Sequence, residues 1–519
     1  GVQNIYGVPG DAILPFLDAV AKNPQLNFIS VKHEGAAALM ASAEAKLMDR
    51  LGVCIGTSGP GVANLINGLA DAKSDQVPVL VITGQVDSYN IDTEYKQVID
   101  QSLLLAAVTD YSGLVVAPDA CNDIMVKALR TALVEGTVTH IGFVKDVWSL
   151  ATEEAVRAPE PYLKTVVQSR PEVIQEAVRR LNEAQRPAIL VGRGIRNLGT
   201  EVIRLAEKWQ CGICMTMPAK GLLQGNHLLV LGGLGEGGSE AATAMLAEAD
   251  LILILGATWW PEKYVPDSGR IIQVDAIPVN IGKRMPVEYG VVGPMADVLP
   301  QIIAGIIRQP KDMWVKRLSV LRDGWLGRIA PETRAEGQPL SPGYLIKTLE
   351  ERAAEDAVMA LDVGDHAVWF NRIFAGSRQD VLVSGSWRTM GFGLPAALSA
   401  KLAQPERQVV ALVGDGCLAQ SLGEFITAIR YQLPVTVVVV NNGYLAMEKD
   451  KMEVNHWDTA VTAISNPDFA RFAESCGGVG YRVERAEDLS EALNQAFSSN
   501  RPAIVDVITS APLFPAMIQ

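Results

Sequence analysis

The fold of this chain is decided by residues 409–444, where two apolar strands flank one helix. The stretch opens with Val409-Val410-Ala411-Leu412-Val413-Gly414-Asp415-Gly416 and closes with Val437-Val438-Val439-Val440-Asn441-Asn442-Gly443-Tyr444. β-Branched runs with a helical pattern between them predict a strand–helix–strand unit whose strands are parallel. In parallel sheets, ligands bind beyond the carboxyl ends of the strands. We therefore expect Asp415 and Asn442 to lie close together at one edge of the sheet.

The segment between these strands predicts one helix with one buried face. Apolar side chains recur there at the spacing of three and four residues that brings them onto the same side of a helix. The residues of this predicted face are Leu422, Phe425, Ile426 and Ile429.

Oxygen-bearing side chains at two neighbouring strand ends suit a metal ion. Carboxylate and amide oxygens are ligands that Mg²⁺ accepts, and glycine amides at a helix N-terminus face an anion. Asp415 and Asn442 therefore predict a site for a magnesium diphosphate. The alternative is a buried strand followed by ordinary tight turns, which is the usual meaning of an isolated Gly-Asp-Gly. The connection of both strand ends through one unit favours the ligand.

The composition is that of a long chain with enough apolar residues for several cores. It has 519 residues, of which 49% are hydrophobic, and a formal net charge of -13. Its length predicts about three domains. The negative charge and the lack of a basic tract argue against a nucleic-acid partner. No uninterrupted apolar run reaches about 18 residues, so we expect no membrane span.

The cysteines favour a reducing compartment over a disulfide framework. Six are scattered along the chain, and we expect a cytoplasmic protein from this usage. Cys211 and Cys214 form a Cys-x-x-Cys pair. Because no second pair and no histidine cluster accompanies them, we interpret them as structural thiols, with a zinc or redox site as the alternative.

Strand and helix patterns divide the chain into three α/β domains. Apolar runs alternate with helical patterns over residues 1–150, 171–310 and 341–519, which predicts doubly wound parallel sheets. Linkers are expected at 151–170, which contains Pro159 and Pro161, and at the charged segment 311–337. The first and third domains share one plan, so a cofactor with two ends could bridge them. Because the chain opens almost directly in a strand, we expect residues before Gly1.

Several motifs, in this order, resemble those of thiamine-diphosphate-dependent enzymes. They are Lys32-His33-Glu34-Gly35-Ala36-Ala37, Thr57-Ser58-Gly59-Pro60-Gly61-Val62-Ala63-Asn64, Ser384-Gly385-Ser386-Trp387-Arg388-Thr389-Met390-Gly391-Phe392-Gly393-Leu394-Pro395, and Gly414-Asp415-Gly416 with Asn441-Asn442. The chain is similar over essentially its whole length to the branch that contains pyruvate oxidases and acetolactate synthases. This resemblance implies decarboxylation of a 2-oxo acid, most simply pyruvate, with thiamine diphosphate and Mg²⁺.

The resemblance assigns the pyrimidine half of the cofactor to the first domain. Glu34 would be the catalytic glutamate that hydrogen-bonds the aminopyrimidine ring. Met390 would bend the cofactor so that its two rings meet, and the carbonyl of Arg388 would accept from its amino group. Further cofactor contacts are implied for four residues: Pro9, Gly10, Ser58 and Asn64. Without the resemblance, Glu34 is a glutamate favoured by a helix dipole, and Met390 is a core residue.

The resemblance assigns the diphosphate half to the third domain. Asp415, Asn442 and the backbone carbonyl of Tyr444 would hold Mg²⁺. Residues implied to contact the cofactor here are Gly414, Gly416, Cys417, Asp365 and His366. An acidic residue such as Asp365 is unusual beside a diphosphate.

Glu34 and Asp415 belong to different domains, and this has a consequence for assembly. In the family, the two halves of one site come from two chains. The resemblance therefore implies a homodimer or homotetramer with active sites between subunits.

The electron acceptor is the open question of the sequence. Gln97 corresponds to a substrate-side glutamine of the family, but no glutamate follows it, and Trp457 comes too late to match the synthase tryptophan. The missing tryptophan favours the oxidase branch. Flavin adenine dinucleotide contacts are implied for Gly192, Gly194, Gly256, Thr258 and Asp275, although Gly293-Pro294 replaces the family's Gly-Asp. The alternatives are an acetolactate synthase and a non-catalytic homologue with a regulatory or scaffold role.

Overall fold

The structure, a computed structural model, describes residues 1–157, 167–260, 262–266 and 269–514. Within these ranges the chain forms three six-stranded sheets, and every strand pair in them is parallel. Helices alternate with the strands, so the predicted α/β class with three doubly wound sheets is confirmed. Pro159 and Pro161, placed in the first linker by the sequence, lie outside the described residues.

The first sheet has the strand order β2-β1-β3-β4-β6-β5. Its strands are β1 (Asn4–Gly7), β2 (Asn27–Ser30), β3 (Gly52–Gly56), β4 (Val79–Gln85), β5 (Tyr111–Val115) and β6 (Val138–Val144). Its helices are α1 (Leu14–Ala21), α2 (Glu34–Met48), α3 (Pro60–Ser74), α4 (Gln101–Leu105) and α5 (Cys121–Glu135).

The second sheet has a different order, β12-β11-β10-β7-β8-β9. Its strands are β7 (Pro187–Val191), β8 (Gly212–Met215), β9 (Val230–Gly233), β10 (Leu251–Leu255), β11 (Arg270–Asp275) and β12 (Tyr289–Val292). The helices of this region are α6 (Pro171–Asn182), α7 (Gly199–Trp209), α8 (Glu240–Glu248), α9 (Met295–Gly305) and α10 (Asp312–Ile329). Two mononucleotide-binding halves joined in this order are typical of dinucleotide-binding sheets.

The third sheet repeats the order of the first, as β14-β13-β15-β16-β18-β17. Its strands are β13 (Val358–Leu361), β14 (Asp380–Val383), β15 (Val409–Gly414), β16 (Thr436–Asn441), β17 (Val479–Val483) and β18 (Ala503–Ile508). Its helices are α11 (Pro342–Arg352), α12 (Asp365–Ile373), α13 (Gly393–Ala403), α14 (Asp415–Ser421), α15 (Phe425–Arg430), α16 (Ala446–Val454), α17 (Phe469–Ser475) and α18 (Ala486–Ser498). The shared plan of the first and third domains is thus present as one shared strand order.

The central strands of the third sheet are buried on both faces. Residues 409–413 of β15 and 437–440 of β16 are almost inaccessible to solvent. A strand covered on both sides has no polar face, which is why these runs are continuously apolar instead of alternating. β15 pairs with β16 in the register Gly414↔Val440, so the two strands end side by side.

The helix between these strands is interrupted, and one predicted core residue is wrong. A short 3₁₀ turn, Leu422–Glu424, separates α14 from α15 and shifts the phase of the second helix. As a result Phe425 is fully buried while Ile426 is 42% exposed. The carboxylate of Glu424 accepts backbone hydrogen bonds from Lys32 and His33, which explains why the helix breaks there.

The expected linker at 311–337 is also wrong, because most of it is helical. α10 packs against α8, and it buries Trp314 and Trp325. The indole nitrogen of Trp314 donates to the carbonyl oxygen of Pro187 at 2.9 Å. The charged residues of the segment led to the linker prediction, although Trp314 and Trp325 are buried. Among the helices of the described ranges, none combines the length and apolar character needed to cross a membrane.

The first and third domains pack directly on each other through α2 and α13. Small side chains dominate the interface, and the alanines of α2 are buried there or in the adjacent core. Ser399 of α13 donates to the carbonyl oxygen of Met40 at 2.8 Å. Small residues allow the two helix backbones to approach closely, which fixes the orientation of the two sheets.

Arg196 joins all three sheets at one point. Its guanidinium donates to the carbonyl oxygen of Leu47 at the end of α2 and pairs with Asp380 at the start of β14, the latter at 2.8 Å. The neighbouring Arg193 donates to the carbonyl oxygen of Lys46 at 2.9 Å. Both arginines therefore satisfy carbonyl groups at the C-terminus of the helix that begins with Glu34.

Candidate active site

The candidate site residues cluster where the strand order of each sheet reverses. Such switch points lie between β1 and β3, between β7 and β10, and between β13 and β15. Connections leave a switch point in opposite directions, which opens a crevice at the carboxyl ends of the two strands. The structure therefore provides three crevices, one in each sheet.

The first crevice brings the turns after β1 and β3 together. Gly10 lies against Thr57 so closely that a Cβ atom added to it would be 2.4 Å from the Cβ of Thr57. The amide of Ala12 donates to the Thr57 hydroxyl at 3.3 Å. The predicted contacts Pro9, Gly10 and Ser58 thus lie around one turn, and only a glycine fits at its tightest position.

Glu34 is the first residue of α2 and is buried. Its carboxylate accepts a hydrogen bond from the side-chain amide of Asn64 at 2.9 Å. A Cβ atom at Gly61 would lie 3.4 Å from the other carboxylate oxygen. The His33 ring caps the helix by accepting a hydrogen bond from the amide of Gly35, so its Nδ1 atom is not bonded to the Glu34 carboxylate. Glu34 and Asn64, predicted from separate motifs, are therefore direct partners.

Gln97 lies over the same turn although it is far away in sequence. It has a left-handed backbone conformation, with φ of 63°. A Cβ atom added to Gly59 would lie 2.9 Å from the Cβ of Gln97, so the two residues are packed tightly together. The hydroxyl of Ser58 donates to the Gln97 side-chain oxygen at 3.3 Å. The structure thus brings Gln97 into the first crevice with Ser58.

Asp415 is the first residue of α14 and is 2% exposed. One carboxylate oxygen accepts from the amide of Gly416 at 2.9 Å, and the other accepts from the amide of Gly443 at 2.7 Å. The ends of β15 and β16 therefore do converge. Burial raises the pKa of Asp415 above its usual range, and these hydrogen bonds oppose the rise. A cation at this position would favour the charged form.

Asn442 and Tyr444 form the facing turn. The side-chain oxygen of Asn442 accepts from the amide of Tyr444 at 3.0 Å. Gly443 between them has φ of 72° and open space beside it, because no atom lies within 4 Å of where its Cβ would be. The three predicted ligands thus border one open turn, with Asp415 on its buried side.

Asn466 was missed by the sequence reasoning. Its amide donates to Asp415 at 2.8 Å and to the side-chain oxygen of Asn441 at 3.2 Å. Asn441 in turn donates to Asp506 at 2.8 Å. The Asn-Asn pair was recognised as one motif, but only its second member faces the turn. Because Asn466 lies in an irregular segment between α16 and α17, no periodic pattern could indicate it.

Asp362 fixes the segment that carries Met390 above α14. Like Asn466, it was not selected from the sequence. The buried carboxylate of Asp362 accepts from the amide of Gly391 at 3.0 Å and from the amide of Gly393 at 2.8 Å. The Met390 methyl group comes within 3.6 Å of a Cβ placed on Gly416. The thioether therefore lies over the first turn of α14. Arg388, two residues earlier, has φ of 55° and stacks its guanidinium on Trp259 at 4.7 Å.

Asp365 and His366 begin α12 beside the same crevice. A Cβ atom on Gly414 would be 3.0 Å from the Nδ1 atom of His366. Within the described residues, His366 Nε2 and one oxygen of Asp365 are buried without a hydrogen-bond partner. Burial lowers the pKa of His366 to about 4, and burial together with nearby Asp450 raises the pKa of Asp365 to about 7. His366 is thus neutral around neutral pH, and Asp365 is about half protonated there.

The second sheet places two glycine turns in direct contact at its switch point. The amide of Gly194 donates to the carbonyl oxygen of Gly256 at 3.0 Å. A Cβ atom on Gly192 would lie 2.2 Å from that oxygen. Any larger residue would push the turns after β7 and β10 apart. The glycines are required by this packing, and the packing leaves backbone at the floor of the crevice.

One cavity of about 440 Å³ runs through this crevice. It is lined by all five residues predicted to contact a flavin in the central domain: Gly192, Gly194, Gly256, Thr258 and Asp275. Its other walls come from the first domain at Lys46 and Asp75 and from the third domain at Gly364 and Arg388. The cavity therefore extends from the second sheet towards the Met390 segment, and its volume is in the range of cofactor sites.

Asp275 and Asn280 form the end of the cavity far from Met390. The Asp275 carboxylate accepts from the amide of Ile277 at 2.9 Å and from the Asn280 side chain at 3.1 Å. Burial raises the pKa of Asp275. The side-chain oxygen of Asn280 is buried without a partner in the described structure. Pro294, which stands where the family has an aspartate, precedes α9 and has no side-chain oxygen. At this end of the cavity the carboxylate is therefore that of Asp275.

The Cys-x-x-Cys pair lies in the core. Cys211 and Cys214 are free and buried, and burial raises the pKa of both thiols. In the part of the chain that the structure describes, no cluster of three or more His, Cys, Asp or Glu side chains has the arrangement of a metal site. The metal candidate therefore consists of one carboxylate, one amide and one carbonyl group.

Three family descriptions match successive parts of the chain. They are the N-terminal TPP binding domain of thiamine pyrophosphate enzymes over residues 1–104, the central domain over 174–302, and the C-terminal TPP binding domain over 362–507. Each of the three matches falls on one of the three sheets.

Individual relatives match along nearly the whole chain. The Bacillus subtilis protein YdaP, whose provisional name is that of a thiamine pyrophosphate-containing protein, is 36% identical over 100% of this chain and 91% of its own length. An acetolactate synthase of Mycobacterium bovis is 33% identical, covering 98% and 86%. A pyruvate oxidase of Lactiplantibacillus plantarum is 31% identical, covering 99% and 88%.

Proposed function

The chain belongs to the thiamine pyrophosphate enzyme family and is a thiamine-diphosphate-dependent enzyme acting on 2-oxo acids, and from that premise we propose that it is a pyruvate oxidase-like, flavin-containing decarboxylase. The observation that carries the proposal is the cavity of about 440 Å³ that links the central glycine turns to the Met390 segment. We assign residues 1–150 to pyrimidine binding, 171–310 to the flavin and 341–519 to the diphosphate. Six free cysteines support a cytoplasmic location.

The third crevice fits a magnesium diphosphate on three observations. Asp415 is a buried carboxylate whose raised pKa a cation would counteract. His366 Nε2 is a buried nitrogen without a partner in the described residues, and it lies next to Gly414. The space beside Gly443 is open. Asp415, Asn442 and the carbonyl oxygen of Tyr444 would hold Mg²⁺, and the amides of Gly416 and Cys417 would face the diphosphate.

The cofactor, when bound, would supply a carbanion that attacks the keto carbon and a thiazolium ring that takes up the electrons released by decarboxylation. This chain's own residues hold it in a reactive shape. Glu34 presents a carboxylate to the pyrimidine end and keeps its orientation through Asn64. Met390 supports the centre of the cofactor because Asp362 fixes the glycines that follow it. Gln97 faces the same crevice, where a 2-oxo acid would enter.

The two halves require a second copy of the chain. In the described structure the hydrogen bond of Glu34 goes to Asn64, and Asp415 bonds only residues of its own domain. Large apolar side chains lie exposed in the first and third domains, with Tyr89 at 76% and Trp457 at 62%. We therefore propose a homodimer or homotetramer in which Glu34 of one chain faces Asp415 of another.

The central cavity fits flavin adenine dinucleotide. Its strand order is that of dinucleotide-binding sheets, and its floor is two glycine turns. Asn280 offers an acceptor without a partner in the described residues beside Asp275, suited to a ribose hydroxyl. Asp275, Gly192, Gly194, Gly256 and Thr258 would line the dinucleotide. The cavity reaches Gly364 and Arg388, beside the Met390 segment, where the flavin would supply an electron acceptor.

A visible spectrum of the purified protein tests the oxidase assignment. We expect a yellow protein whose flavin absorbance at about 450 nm is bleached by pyruvate in the absence of oxygen, as expected of a flavin that accepts electrons. Bleaching should require thiamine diphosphate and Mg²⁺. A colourless protein that converts pyruvate to acetolactate would replace the oxidase assignment by the synthase. A protein inactive towards every 2-oxo acid would support the non-catalytic alternative.

A further inference from the structure

Helix α3 contacts site residues of two different domains. Near its start, the side-chain amide of Asn64 donates to the Glu34 carboxylate at 2.9 Å. One turn later, Asn67 reaches across to the third domain. Its amide donates to the hydroxyl of Thr389 at 2.8 Å, and its oxygen accepts from the indole nitrogen of Trp387 at 2.8 Å.

Thr389 passes this contact to the backbone of Met390. Its hydroxyl donates to the carbonyl oxygen of Met390 at 2.9 Å, and its amide donates to the hydroxyl of Ser384 at 3.0 Å. Only one hydroxyl therefore separates Asn67 from the residue that supports the cofactor. Because the Asn67 amide donates and accepts at once, it fixes both the position and the rotation of this segment.

The far end of α3 holds the beginning of the same segment. Asp75 follows the helix and accepts from the amides of Gly385 and Ser386 at 2.9 and 2.8 Å. Lys46 bridges Asp75 and the carbonyl oxygen of Val383, at 2.7 and 3.1 Å. Residues 383–389 are therefore hydrogen-bonded to side chains of the first domain. On the other side of Met390, the Asp362 carboxylate binds the backbone amides of Gly391 and Gly393.

These contacts connect two active sites, and this step rests on the proposed pairing of Glu34 from one chain with Met390 from another. We propose that Asn67 is a positioning residue for Met390 of its own chain, so that a single helix α3 serves two sites. Asn64 orients Glu34 in one site, and Asn67 orients the Met390 segment in the other. A shift of α3 would therefore change both sites together.

Single variants test the positioning role. Asn67→Ala and Thr389→Val should each lower kcat roughly tenfold with little change in KM, because a misplaced reactive group slows the chemical step more than it weakens substrate binding. Thr389→Ser keeps the hydroxyl and should restore near wild-type kcat. Asn494→Ala, an exposed helical asparagine of α18, is the matched control and should leave kcat unchanged.

A second readout needs no cofactor. In the apoprotein, Asn67→Ala should speed amide hydrogen exchange in a peptide covering residues 384–393, and Asn494→Ala should not. Unchanged exchange in this peptide together with unchanged kcat would overturn the proposal.

Hybrid dimers locate the site on which Asn67 acts. A Glu34→Gln chain paired with an Asn67→Ala chain should keep one intact site, because both lesions fall in the other site. We expect about half of the wild-type activity per dimer. If Asn67 acted instead on Glu34 of its own chain, each site would carry one lesion, and activity well below half would overturn the proposal.

A reference hybrid separates this inference from the proposed function. Glu34→Gln paired with Asp415→Ala should also give about half of the wild-type activity. If that hybrid is inactive, each site lies within one chain and the link between two sites is wrong, although the enzyme assignment stands. If wild-type protein bleaches no flavin and releases no carbon dioxide, the proposed function itself has failed.

Discussion

The first and third sheets have the same strand order, but different residue types follow their strands at the switch points. After its third strand, the first sheet continues with Gly59-Pro60-Gly61, whereas the third continues with Gly414-Asp415-Gly416. After its second strand, the first sheet starts a helix with Glu34, and the third reaches Met390 and then α13. Under the proposed function, one topology would supply a carboxylate for a pyrimidine in one copy and a carboxylate for a metal in the other. The comparison teaches that fold alone does not assign the site; the residue at each turn does.

Removing the acid of the first sheet should have the largest effect. Glu34→Gln should lower kcat by about 10²- to 10⁴-fold, because a positioned acid or base contributes on that order. Cofactor affinity should change little, since the diphosphate is held elsewhere. Steady-state kinetics and a thiamine diphosphate titration measure both. Glu491→Gln on α18 is the control, and a variant at Glu34 with near wild-type kcat would remove this residue from the chemistry.

Removing the acid of the third sheet should affect binding instead. Asp415→Ala should weaken thiamine diphosphate binding by roughly 100-fold at fixed Mg²⁺, because the metal loses its carboxylate. Asn466→Ala should weaken it by about tenfold, since it only orients Asp415. Titration calorimetry at several Mg²⁺ concentrations gives the constants. Wild-type affinity in Asp415→Ala would contradict the division between the two sheets.

Adding one methyl group at the glycine contact of the central sheet should lower stability and flavin binding. Gly192→Ala places a Cβ 2.2 Å from the carbonyl oxygen of Gly256 and should destabilise the protein by about 1–3 kcal/mol while reducing bound flavin. Gly324→Ala, in α10 with open space around it, should be neutral or stabilising by up to about 1 kcal/mol. Thermal unfolding and flavin content after purification distinguish the two. Equal behaviour of both variants would show that the glycine contact is unimportant.

The smallest effect concerns Asp365, which is buried, whereas Asp11 at the corresponding position of the first sheet is exposed. Burial and Asp450 raise its pKa to about 7 in the folded chain, whereas an aspartate in an unfolded chain has a pKa of about 3.9. The folded state therefore keeps a proton that the unfolded state loses, and stability falls as pH rises from about 4 to 7. Asp365→Asn should abolish this part of the pH dependence and be more stable than wild type at pH 8. Denaturant unfolding from about pH 4 to 8 measures it, and parallel curves for both proteins would refute the buried-proton account.

Local patterns predicted most of the fold, the family resemblance supplied most of the candidate site residues, and long-range contacts account for what both missed. The continuous apolar runs of β15 and β16 were recognisable because buried parallel strands have no polar face. Asp415 was recognisable because it follows such a strand, whereas Glu34 was recognisable through the family motif around it. Asn466 and Asp362 were not, since each acts through a hydrogen bond to a distant backbone or side chain. The break at Leu422–Glu424 and the buried tryptophans of α10 likewise depend on partners far away in sequence.

Release of carbon dioxide from carboxyl-labelled pyruvate tests the central claim most directly. With thiamine diphosphate, Mg²⁺ and flavin adenine dinucleotide present, wild-type protein should release labelled carbon dioxide, and omission of thiamine diphosphate or the Glu34→Gln change should abolish most of it. Protein that binds its cofactors but releases no carbon dioxide from pyruvate or from any other 2-oxo acid would contradict the account.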